Sequence, residues 1–82
     1  MEITLLYFAA VRDLLGKSEE KVALPPEVCT VADLQAWLER ERPALRERRA
    51  FVRLARNEEF AMPADRLASG DVVALIPPVA GG

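Results

Sequence analysis

Two β-prone runs, EITLLYF (Glu2 to Phe8) and VVALI (Val72 to Ile76), stand near opposite ends of the 82-residue chain, and both carry apolar residues at odd and even positions alike. Successive strand residues point to opposite faces, so runs of this kind sit in the middle of a sheet or have both faces covered. In the first run Ile3, Leu5 and Tyr7 share one side of the pleat, and Thr4, Leu6 and Phe8 share the other. No hairpin joins strands so far apart. Side by side they run parallel, and a parallel pair needs a crossover between its strands.

The intervening sequence supplies it. AAVRDLLG reads as a short helix with Val11, Leu14 and Leu15 at helical spacing and Gly16 at the left-handed cap. EKVALP (Glu20 to Pro25) reads as a second strand, stopped by Pro25 and Pro26. In CTVADLQAWLERERP, Thr30 and Asp33 form a capping box worth about 1 kcal/mol. Cys29 and Leu34 are its expected staple pair, and Val31, Leu34, Trp37 and Leu38 are the inward stripe. Glu39 to Arg42 are expected to face water, and Pro43 ends the helix. ALRERRA continues for a further helical turn or two. FVRLARN (Phe51 to Asn57) is a third strand with Val52 and Leu54 on one face, NEEF is a turn that lifts Phe60 and Met62, and Ser69, Gly70 and Asp71 turn into the last strand. The expected fold class is α+β, a mixed sheet on one main helix, in a single domain over residues 1–82 with 77–82 protruding as a tail.

Several chemistries lose their basis in the composition. The chain has no His and only one cysteine, Cys29, so it lacks a Ser/His/Asp triad, an internal disulfide and a Cys/His zinc cluster. No apolar run approaches the length of a membrane span, and MEITLLYFAAVRDLLG lacks a basic leader, so the expected location is cytoplasmic and no membrane partner is expected. The net charge of −2 does not advertise nucleic acid. Seven arginines (40, 42, 46, 48, 49, 53 and 56) and three glutamates (39, 41 and 47) do make one segment basic. It reads first as a solvated face and second as a patch for an acidic protein. RNA ranks third, since no aromatic residue is interleaved to stack a base.

IPPVAGG, from Ile76 to Gly82, is the most unusual stretch. Pro77 and Pro78 fix φ and favour an extended form, whereas Gly81 and Gly82 remove Cβ atoms and open the backbone to angles closed to other residues. A stiff base with a slim tip suits a carboxylate that must enter narrow slots in other proteins. Six extended residues reach at most roughly 20 Å. Phe8, Phe60 and Ile76 are the expected exposed apolar patch at the root of this tail, with core positions for some of them as the plain alternative.

YFAAVRDLLG, LASGDVVALIPP and the PPVAGG ending resemble the small, sulfur-carrying subunit of molybdopterin synthase (the MoaD family), over the whole chain. The close cousins are the thiamine-pathway sulfur carrier (ThiS) and ubiquitin-like modifiers, which usually lack the Pro-Pro pair. The resemblance implies a β-grasp fold and a non-catalytic carrier that binds no cofactor. An adenylating enzyme (MoeB-like) would use ATP to activate the Gly82 carboxylate, and a sulfur donor would displace AMP to leave a thiocarboxylate. The tail would then enter the large subunit of molybdopterin synthase (MoaE-like), in a heterotetramer, and pass sulfur to a cyclic pyranopterin precursor to build the dithiolene. It implies Gly81 and Gly82 as the reacting end, and Phe8, Phe60, Ile76, Pro77, Pro78, Val79 and Ala80 as partner contacts. The alternatives are a ThiS-like carrier for thiamine or tRNA thiolation, a ubiquitin-like modifier, and an interaction domain whose end does nothing.

Overall fold

A computed structural model describes residues 1–48, 51 and 53–78. Eight elements follow in the order β1 (Glu2–Tyr7), α1 (Ala9–Leu15), β2 (Glu19–Ala23), α2 (Val31–Glu41), α3 (Pro43–Glu47), β3 (Arg53–Arg56), β4 (Glu59–Phe60) and β5 (Val72–Ile76). Among the described residues the strands form one mixed sheet in the order β2-β1-β5-β3-β4, with β1 and β5 parallel at its centre and the other pairings antiparallel.

One face of this sheet makes the core. Ile3, Leu5 and Tyr7 of β1, Val73 and Leu75 of β5 and Leu54 of β3 are buried in a single cluster with Val31, Leu34 and Leu38 of α2. The helix lies against the sheet because its apolar residues recur at helical spacing and its first turn is anchored twice. Thr30 Oγ1 accepts from Asp33 N at 3.2 Å, and Asp33 Oδ2 accepts from Thr30 N at 3.1 Å. The loop after β4 then covers the remaining helix donors, with Val31 N donating to Asp65 O at 2.9 Å and Ala32 N to Pro63 O at 3.0 Å. Gly16 takes the left-handed cap of α1 at φ 75°, with its N–H on Arg12 O. Pro43, lacking an N–H, separates α2 from α3 and occupies the first turn of the latter.

The structure departs from the sequence reading at several points. The second strand is Glu19–Ala23 and stops before Pro25, whereas NEEF is a hairpin whose second arm is the two-residue β4. Phe8 leaves the sheet to become the N-cap residue of α1. Trp37 is half-buried against the core, and Cys29, half-buried outside it, donates its thiol to Pro26 O at 3.3 Å while Val28 enters the cluster in the expected staple position's stead. Val52 lies outside the described residues.

Arg42 is the largest departure, because its side chain is half-buried and turned onto the sheet instead of standing free in water. Tyr7 is 1% exposed, and its hydroxyl must find an acceptor. It donates to Glu20 Oε1 at 2.7 Å; Arg42 Nη2 reaches the same oxygen at 2.8 Å, and Lys17 Nζ reaches Oε2 at 3.2 Å. A polar knot thus ties β1, β2 and the end of α2 where the apolar core runs out. Burial pushes the Glu20 carboxyl up, but the hydrogen bonds from Tyr7, Arg42 and Lys17 outweigh it and hold the group down at about 2. For the Tyr7 phenol, burial and the bond to Glu20 both act upward.

The folded carboxyl therefore releases its proton at lower pH than the unfolded one, near 4.3, so its stabilisation is complete above pH 5 and lost as pH falls towards 2. Glu20→Gln should lower stability at pH 7 by about 2 kcal/mol and flatten its decline between about pH 5 and pH 2. Urea unfolding across that range checks both effects, and a parallel pair of curves would contradict them.

Candidate functional site

The outer face of the sheet follows from the register. Leu6 stands opposite Ala74, Ala74 opposite Ala55, and Ala55 opposite Phe60, so one row crosses four strands in the order large, small, small, large. Two alanines between Leu6 and Phe60 leave a hollow, since a methyl stands far lower on a pleated surface than its neighbours. An open groove of about 640 Å³ results, lined by Leu6, Phe8, Ala55, Asn57, Glu58, Phe60, Val72, Ala74 and Ile76. Among the described residues, none of a helix lines it.

The structure brings Phe8, Phe60 and Ile76 together on this groove. Phe8 and Phe60 are 47% and 60% exposed, and Ile76 is half-buried where β5 gives way to Pro77 and Pro78. Val79, Ala80, Gly81 and Gly82 lie outside the described residues. Leu6, placed with Phe8 on the outer pleat by the sequence, also lines it, and Ala55, Val72 and Ala74 do so without having been singled out. The signal was present in the parity of VVALI, where Val73 and Leu75 point inward and leave Val72, Ala74 and Ile76 outward.

A second departure explains how Phe60 is held. The β3–β4 connection places Asn57 and Glu58 at φ 51° and 73°, the left-handed pair that a tight two-residue hairpin requires. Asn tolerates this conformation, whereas Glu58 bears a strain of about 1 kcal/mol. Asn57 is clamped to the start of β5: its N–H donates to Val72 O at 2.8 Å, its Oδ1 accepts from Val72 N at 3.0 Å, and its Nδ2 donates to Asp71 Oδ1 at 3.1 Å. Asp71, 7% exposed, also accepts from Ala68 N at 2.8 Å and Arg56 Nη1 at 3.3 Å. Burial pushes its carboxyl up, but the bonds from Ala68, Asn57 and Arg56 prevail and keep it below the usual carboxylate range. From the sequence Asp71 was turn chemistry alone; its bond from Ala68 is local, but those from Arg56 and Asn57, 15 and 14 residues away, have no local pattern.

Arg53, opposite Ile76 in register, carries its guanidinium carbon 4.0 Å from the centroid of the Phe60 ring. The groove thus offers apolar contact area and a neighbouring cation beside the point where β5 passes into Pro77 and Pro78. It suits docking. Among the described residues no group of three or more His, Cys, Asp or Glu is placed to hold a metal ion.

The ThiS family model matches residues 5–82. The chain is 38% identical to the molybdopterin synthase sulfur carrier subunit of Chlamydomonas reinhardtii, with all of both chains covered. It is also similar to the crystal structure of small archaeal modifier protein 1 from Haloferax volcanii, at 30% identity and a TM-score of 0.76, covering 95% of this chain and 98% of that one. A chain of the protein–protein complex of subunits 1 and 2 of the molybdopterin-converting factor from Helicobacter pylori shares the fold at 24% identity and a TM-score of 0.69, with both chains fully covered.

Two substitutions test the support of the groove in opposite directions. Glu58→Gly should raise stability by about 0.5–1 kcal/mol through relief of the left-handed strain. Asp71→Ala should lower it by about 2 kcal/mol by stranding its donors. Thermal or urea unfolding of each variant reads the sign.

Proposed function

The chain belongs to the ThiS family, and within it we propose that the protein is the sulfur-carrier subunit of a molybdopterin synthase. The observation that carries this reading is the position of the groove, since Phe8, Phe60 and Ile76 surround the point where β5 passes into Pro77 and Pro78. A partner that covers the groove is thereby aligned with whatever the following residues deliver. The full-length similarity to a sulfur carrier supports the same assignment.

On this reading the globule is a handle and the Gly82 carboxylate is the reacting group. One carboxylate oxygen attacks the α-phosphorus of ATP held by an adenylating enzyme and expels pyrophosphate, giving an acyl-adenylate. A sulfur donor then displaces AMP at the acyl carbon and leaves a thiocarboxylate. This anion is ionised at neutral pH, so it can attack without a local base. The large subunit receives the tail, positions the pyranopterin precursor and supplies acid–base groups; the sulfur bonds to a precursor carbon in place of an oxygen substituent, and water then cleaves the acyl C–S bond, leaving the sulfur on the precursor and restoring the carboxylate. Gly81 and Gly82 let the acyl carbon enter both partners' slots, and Pro77 and Pro78 reduce the entropy lost when the tail is ordered, about 1–2 kcal/mol per residue for a free backbone. ATP is the adenylating enzyme's substrate, and a cytoplasmic setting suits this chemistry; no described helix is long and apolar enough to cross a membrane.

Deletion of Gly82 should abolish ATP–pyrophosphate exchange catalysed by the adenylating partner, whereas exchange at the full-length rate would contradict the assignment. Phe60→Ser should weaken binding to the large subunit by about tenfold or more while changing stability by no more than about 0.5 kcal/mol, because Phe60 is largely exposed. Titration calorimetry and urea unfolding separate the two quantities.

A further inference from the structure

Arg53 borders the groove, paired with Ile76 in register and lying over the Phe60 ring, on the side where β5 passes into Pro77 and Pro78. The other arginines of the sheet and its border are committed: Arg42 to Glu20 at 2.8 Å, and Arg56 to Asp71 at 3.3 Å. Among the described residues no carboxylate lies within 4.0 Å of the Arg53 guanidinium, which rests on Phe60 and is exposed. Stacking uses the π surface of the guanidinium and leaves its in-plane N–H donors facing outward. At the opposite end of the groove, in the hairpin turn, stands exposed Glu58. The groove is therefore apolar along its floor, positive beside the tail and negative at the far end.

This arrangement constrains what can cover it. A surface that packs on Phe60 also takes water from the guanidinium lying on that ring, and a charge buried without an acceptor is strongly unfavourable. An apolar partner surface lacking an anion is rejected, and one with a correctly placed carboxylate gains a planar, two-pronged contact. Resting on the sulfur-carrier reading, we propose that Arg53 is a specificity-determining residue for the large subunit. It receives a carboxylate that the partner carries next to the apolar side chains filling the groove, at the mouth of the slot that takes the tail. With Glu58 at the other end, the charge pattern also fixes which way round the partner sits.

The test titrates the large subunit from the same organism against the wild-type chain, Arg53→Met and Arg53→Lys, at about 50 mM and about 300 mM NaCl. Arg53→Met keeps an apolar stem over Phe60 and removes the charge. It should bind about tenfold more weakly at low salt and lose most of the salt dependence that the wild type shows. Arg53→Lys should recover the salt dependence and only part of the affinity, because it restores the charge without the fork. Circular dichroism melts confirm that each variant is folded. Wild-type affinity in Arg53→Met at both salt concentrations overturns the role of Arg53 and leaves the sulfur-carrier reading standing. A wild-type chain that does not bind the large subunit overturns that reading, and this inference with it.

Discussion

The parallel pairing of β1 with β5 is the interaction on which the rest of the structure depends. It sets two strands from distant parts of the sequence side by side at the centre of the sheet, so that each must be apolar on both faces. Inward, Leu5, Val73 and Leu75 are fully buried beneath α2. Outward, Leu6, Ala74 and Ile76 lie on the groove. The core and the docking face are two sides of one pairing, and a slip of one residue would exchange them. The same pairing directs the chain out of the sheet at Ile76, beside Phe8 and Arg53.

Polar groups secure the places that apolar packing does not reach. The Tyr7–Glu20–Arg42 knot closes the β2 side of the core, and the Asp71–Asn57–Arg56 cluster ties the strained β3–β4 hairpin to the foot of β5. Both are built from carboxylates that are held ionised by more than one donor, so each is strong only while every partner is present. The second also bears on the groove: it clamps Asn57, the first residue of the left-handed turn that leads through Glu58 into β4 and Phe60.

Much of the fold was legible because it rests on local rules. The capping box at Thr30 and Asp33, the left-handed Gly16 and the parity of β1 are patterns within a few residues of one another, and the side-by-side terminal strands followed from having no polar face to expose. Phe8, Phe60 and Ile76 do line one groove, although Phe8 reaches it as the N-cap residue of α1 and not as a strand residue. What escaped was long-range. Arg42 looked solvated because Glu20 lies 22 residues away, and Asp71 looked like a turn residue because two of its donors, Arg56 and Asn57, lie 15 and 14 residues away. The hollow of the groove was hidden too, since Ala55 and Ala74 matter only once register sets them between Leu6 and Phe60. β4, with two residues, has too little sequence to announce itself as a strand.

The groove aligns a partner and the residues beyond Pro78 carry the cargo: that division of labour is the central claim. Its most direct test is a single-turnover experiment. The chain, loaded with sulfur by its adenylating enzyme and a sulfur donor, is mixed with the large subunit and the pyranopterin precursor, and its intact mass is followed against dithiolene formation. The account requires the sulfur-bearing mass to revert to that of the plain carboxylate in step with product. A sulfur-bearing chain that persists while product forms, or a chain that ends up joined to lysines of other proteins, would contradict it.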